Sequence, residues 1–335
     1  MRWLEETHSV FFELVRHFFR RLFDGEWSTS SGQWGSAAIG LVSLLLPAGL
    51  LLVREASLDP RTVQRYAAVG ARGLHSAAFA DELALITLLM CVTGLIALLQ
   101  WQSLFPARRD YLALASLPVR PSQVFAASFA SILLFSAVLI GAMIALPSVL
   151  APGEFGGSWR LDLAYLRAAG AQAVSSALAC SFTLFSIVAL QGLLLNFLPG
   201  RIFVRASIYV QALLTGIFLL AGFYSWTMKQ WPVATAHMVA EFRWLPPVWF
   251  ASMSQRAWTA STLAVALTAA TYLLSYRRYR ELLLESPAMF PPHPRHWSPW
   301  RLLAGTPRRE AVMDFVAKTL ARSRTHRLLW LVYLV

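Results

Sequence analysis

The sequence predicts an all-α, polytopic membrane protein with six complete spanning helices, an N-terminal interfacial amphipathic helix and a truncated seventh span. Three observations lead there. Hydrophobic residues make up 57% of the 335 and charged residues only 14%, where soluble domains hold roughly 45–50% and 25%. Mean hydropathy is +0.54. The apolar residues also fall in long uncharged blocks, each near or above the roughly 17–25 residues that a spanning helix needs.

Residues 1–35 come first, as a connecting helix and linker. Phe11, Leu14, Phe18 and Phe19 recur at helical spacing, with Phe12 beside them, and Arg16, Arg20 and Arg21 gather elsewhere on the helix. Over residues 3–23 this is a helix too polar to span and suited to the membrane interface. The six-span domain covers residues 36–276, with spans expected at about 36–53, 83–101, 124–150, 171–198, 206–226 and 258–276. Pro199-Gly200-Arg201 turns the chain between the fourth and fifth. Trp101, Trp226, Trp258 and Tyr276 stand at block ends, where amphipathic rings favour the interface. Residues 277–327 form a basic, proline-rich linker and a second amphipathic helix. Residues 328–335 are eight apolar residues, too few to cross about 30 Å at 1.5 Å each. They read as the start of a seventh span in a fragment.

The net charge of +12 does not point to nucleic acid, because the basic residues sit between the apolar blocks. With the N-terminus in the cytoplasm, 20 of the 29 Lys and Arg residues face inward, as the positive-inside rule requires. The arginines between Arg54 and Arg72 are the exception. Lys229 and Lys318 are the only lysines and Asn196 the only asparagine. That bias hints at a GC-rich bacterial genome, and hence at the bacterial cytoplasmic membrane.

Catalytic signatures are missing from the sequence. The expected spans hold no Asp, Glu, Lys, Arg or His, which speaks against ion-coupled transport. There is no HExxH, no GxSxG and no phosphate-binding glycine loop. Cys91 and Cys180 lie in apolar blocks with no metal spacing, and read as packing residues. No metal, cofactor or catalytic residue is expected. If the protein moves cargo, the energy must come from a partner. Ala127/Ser131, Gly141/Ala145 and Ser175/Ala179 pair small residues at four-residue spacing and predict close helix packing. Gln191 and Asn196 are expected to bond across helices, with cargo contact as the alternative.

Between the second and third expected spans the chain reads Leu104-Phe105-Pro106-Ala107-Arg108-Arg109-Asp110-Tyr111-Leu112-Ala113-Leu114, and runs on to Pro118 and Pro121. Pro106 can open a helix, and Pro118 and Pro121 must close it. Following an amphipathic helix and a span pair, this segment resembles the permease subunits of bacterial ATP-binding-cassette (ABC) exporters of the second permease class. It is also similar to poorly characterised permease-like membrane proteins of bacteria. The resemblance covers most of the chain as an architecture, but the specific motif is short.

It implies that 3–23 is a connecting helix and that 106–117 is a coupling helix. Phe105, Arg108, Arg109, Asp110, Tyr111 and Leu114 would dock on a separate cytoplasmic ATPase, and ATP would enter only through that subunit. A permease dimer or a fused second half would complete the transporter. The seventh span departs from the usual six. The alternatives are a membrane scaffold or assembly protein, and a polytopic lipid-modifying enzyme.

Overall fold

A computed structural model of the chain describes residues 2–23, 45, 48–55, 64, 70–101, 103–105, 121–156, 162–230 and 244–284. Among them there are helices and turns and no strand. The helices are α1 (Arg2–Phe23), α2 (Ala71–Leu99), α3 (Pro121–Gly156), α4 (Leu163–Phe197), α5 (Gly200–Gln230), the short α6 (Pro246–Ala251) and α7 (Gln255–Leu284). Residues 48–55 are also helical. Among the described residues, five stretches are long and apolar enough to cross a membrane: Ala78–Leu99, Ser122–Gly153, Leu163–Phe197, Arg205–Ser225 and Gln255–Tyr276. Most of the expected first span, the second amphipathic helix and the expected seventh span lie outside the described residues.

Several boundaries differ from the sequence reading, each for a local reason. Residues 71–82, ahead of the expected start of the second span, form the first turns of α2, which begins at Ala71 after Gly70. Gly70 has φ 92, a conformation glycine adopts without cost. Alanines at 71, 77, 78 and 80 favour the helix. Asp81 and Glu82 therefore fall inside an apolar helix, and Asp81 is buried. The expectation of spans without ionisable groups thus gives way at the start of α2, and the spanning stretches also take in Arg167, Arg205 and Arg256 close to their N-terminal ends.

α4 likewise starts early. The Asp162 side chain accepts a hydrogen bond from the Tyr165 N–H at 2.8 Å, which satisfies an open donor of the first turn. At the other end Pro199 closes α4 and starts α5, its carbonyl accepting from the N–H groups of Ile202 and Phe203 at 2.9 Å each.

α4 is the centre of the bundle and packs along α7, α3 and α2, while α5 leans mainly on α2. Burial agrees: 67% of the most apolar stretch of α2 is buried, against 11% in α5. In a bilayer, helices gain little hydrophobic energy from one another, so close backbones and cross-helix hydrogen bonds matter more. Both occur here. Thr268 Oγ1 donates to the Phe185 carbonyl at 2.8 Å, and Ser261 Oγ to the Leu178 carbonyl at 3.2 Å. Both bonds fix α7 to α4.

α6 is anchored by Ser175 Oγ, which donates to the Phe250 carbonyl at 2.8 Å. Its Val248, Phe250 and Ala251 close an apolar cluster with Leu83, Ile86 and Met90 of α2. The Ala127/Ser131 and Ser175/Ala179 pairs are buried as expected. Gly141 and Ala145 face outward instead, and a Cβ built on Gly141 would meet nothing within 4 Å.

α1 lies against α3. Leu14, Phe18 and Phe19 are buried in the main core, with Phe11 partly buried beside them. Phe12 and Arg20 are exposed, and Arg21 is the last residue but two of the helix.

Candidate functional site

The C-terminal end of α2 concentrates the polar groups of the bundle. The last carbonyls of any helix lack intrahelical partners. In an apolar setting each unmatched group is costly, so other elements must supply donors. Here three other helices supply donors to this end and to the turn that follows it. Gln211 Nε2 of α5 donates to the Leu98 carbonyl at 3.2 Å. Gln191 Nε2 of α4 donates to the Trp101 carbonyl at 2.6 Å. The Tyr272 hydroxyl of α7 donates to the Leu104 carbonyl. The turn itself is tightened by Ser103, whose N–H and Oγ both donate to the Gln100 carbonyl at 2.9 Å.

Side chains of the turn point inward as well. Trp101 is 2% exposed, and its Nε1–H donates to Ser207 Oγ of α5 at 2.7 Å. It is therefore an internal anchor and not the interfacial ring its position at a block end suggested. Phe105 is 3% exposed and stacks on Tyr272, with ring centroids 4.5 Å apart and planes 22° apart. Phe129 of α3 tilts against the Tyr272 ring, with centroids 5.2 Å apart.

Gly192 makes the arrangement possible. A Cβ at that position would sit 3.0 Å from Phe105 Cζ and 2.6 Å from both Cβ and Oγ1 of Thr271. One turn on, Asn196 Nδ2 reaches the Gly192 carbonyl at 2.8 Å, the Thr271 carbonyl at 3.2 Å and Ser275 Oγ at 3.1 Å. Gln191 and Asn196 thus bond across helices, as expected.

The result is a clasp of α2, α4, α5 and α7 around residues 98–105. No charged side chain takes part in these bonds, so the arrangement is suited to holding and transmitting position, not to proton transfer. Of the expected docking residues, Phe105 lies inside this clasp. Arg108, Arg109, Asp110, Tyr111 and Leu114 lie outside the described residues, directly after it in the chain. The sequence reading placed Trp101 at the membrane interface and did not single out Ser207, Gln211 or Tyr272. Gln211 was the available signal, a lone amide inside an apolar block.

The clasp makes a graded prediction. Gln191 Oε1 has no hydrogen-bond partner among the described residues. Gln191→Leu removes this unmatched acceptor but also leaves the Trp101 carbonyl without its donor, so it is expected to cost about 1–3 kcal/mol. Gln191→Glu, when ionised, sets a carboxylate against the Trp101 carbonyl and is expected to lower the melting temperature clearly further at high pH, where the buried acid no longer stays protonated. Thermal unfolding of the two variants in one detergent checks the order.

Compared with known proteins, the chain matches no family model, no curated protein and no solved structure.

Proposed function

We propose that this chain is the membrane-spanning permease subunit of an ATP-driven, ABC-type exporter, coupled to a separate cytoplasmic ATPase. The observation that carries the reading is the clasp at Trp101, Leu104 and Phe105. A segment that receives force from a soluble partner has to be joined rigidly to the spanning helices, or its motion is lost in its own flexibility. Residues 106–117 follow in the chain directly after a turn held by hydrogen bonds and ring stacking to three further helices. That attachment suits a coupling element, and the proline-bounded, arginine-bearing sequence between Pro106 and Pro118 suits a docking helix.

In this reading Arg108, Arg109, Asp110, Tyr111 and Leu114 meet the ATPase, while Phe105 holds the segment from within. Arg and Tyr are the residue types that most often anchor protein interfaces. ATP binding and hydrolysis in the partner would move the segment, and the clasp would pass the motion to α4, α5 and α7 together. The uncharged span interiors beyond the start of α2 suit a bulky apolar or amphipathic cargo better than a small ion. The protein sits in a bacterial cytoplasmic membrane with its N-terminus inside.

Affinity purification of the full chain in mild detergent, followed by mass spectrometry, tests the proposal. An ATPase subunit is expected to co-purify, and to be lost when residues 106–117 are replaced by a Gly/Ser linker of equal length. A preparation that carries other membrane proteins and no ATPase would favour the scaffold reading.

A further inference from the structure

We infer that the outward ridge of α1 is a binding surface for anionic phospholipid headgroups. The inference is independent of the transport proposal. The apolar side of α1 is occupied by the bundle, since Leu14, Phe18 and Phe19 are buried in the core. Phe12, Arg16 and Arg20 follow one another at four-residue spacing, so they share one ridge of the helix. All three are exposed, and Phe12 remains 67% exposed.

Charge along α1 is asymmetric. Its acids are Glu5, Glu6 and Glu13, whereas Arg16, Arg20 and Arg21 occupy the stretch from Leu14 to Phe23, which holds no acid. Arg16 lies 3.5 Å from Glu13 in a solvent-facing pair, and such pairs contribute little to stability.

The helix dipole favours cations near a C-terminus, which accounts for the order of the charges. It does not account for a phenylalanine left exposed on the same ridge. An aromatic ring followed on one ridge by two guanidinium groups is the chemistry of a membrane interface: the ring enters the acyl boundary and the arginines reach the phosphate layer. α1 packs on α3, a helix long and apolar enough to cross a membrane. The ridge is therefore held beside the bundle, where its neighbour is lipid. Its positive charge selects headgroups with net negative charge over zwitterionic ones.

Native mass spectrometry of the full chain in mild detergent tests this, with phosphatidylglycerol and phosphatidylcholine added in equal amounts. The most tightly held lipid is expected to be phosphatidylglycerol, with a preference of about ten-fold. Arg16→Gln with Arg20→Gln should bring the preference close to parity, and Arg16→Lys with Arg20→Lys should keep it. Because these side chains are exposed, neither variant disturbs the core. Unchanged phosphatidylglycerol retention in the glutamine variant would overturn the inference. So would displacement of the lipid by inorganic phosphate at the same concentration, which would make the ridge a site for the free anion.

Discussion

Gly192→Val is expected to weaken the packing of α4 against α7 strongly. Even a single Cβ at this position would lie 2.6 Å from two atoms of Thr271 and 3.0 Å from the Phe105 ring. Non-bonded carbon atoms rest at about 3.5–4.0 Å, so the helices would have to separate. Gly192 and Phe105 are held by neighbouring bonds that cannot follow: Gln191 to Trp101 on one side and Asn196 to Thr271 on the other. Overpacking of this kind costs about 1–3 kcal/mol or more. Thermal unfolding in detergent should show a melting temperature lower by about 5 °C or more.

The compensating swap makes this specific. Gly192→Ala alone should be clearly destabilised, and Gly192→Ala with Thr271→Gly should recover much of the loss, because the second change removes both clashing atoms. A double variant no more stable than Gly192→Ala would show that the close approach is not what matters there.

Trp101→Ala is expected to have the second large effect. Trp101 is among the largest fully buried side chains among the described residues, and truncating such a residue costs about 3–5 kcal/mol. Two losses combine, the packing of the indole and its hydrogen bond to Ser207 at 2.7 Å. Trp101→Phe separates them. It keeps most of the ring and loses the bond, so it should cost about 1 kcal/mol or somewhat more. Protease cleavage at Arg108 and Arg109 reports on the clasp directly. Trp101→Ala should be cut there much faster than the parent protein, and Trp101→Phe only slightly faster. Equal cleavage in all three would mean that the turn at 101–105 does not hold the segment that follows it.

The fold class was legible because a bilayer imposes a coarse and strong pattern. Blocks of twenty or more uncharged residues leave few other structures open, and the helices from α2 to α5 and α7 follow those blocks. Helix ends were less legible. Asp81 and Glu82 looked like the edge of a span, yet the alanines before them continue the helix, and tertiary packing decides whether a carboxylate inside it is tolerated. Side-chain direction was least legible. Gly141 and Ala145 share the spacing of Ser175 and Ala179, but only the latter face a partner helix.

Trp101 has the position of an interfacial ring and the environment of a core residue, because Ser207 happens to lie opposite it. The clasp was half visible. Gln191 and Asn196 announced cross-helix bonds as amides in apolar blocks, whereas Tyr272 stood in its block like any other aromatic residue. What pairs Leu104 with Tyr272, 168 positions apart, is the order in which helices pack, and periodicity in one segment carries no information about that.

The central claim is that residues 106–117 transmit force between a soluble ATPase and the clasp. Photo-crosslinking from a benzophenone amino acid at Tyr111 or Leu114, in cells expressing the full chain, tests it most directly. The account predicts a crosslink to a cytoplasmic ATPase subunit whose yield changes when ATP is depleted. Crosslinks confined to lipid or to the chain itself, unaffected by ATP, would contradict it.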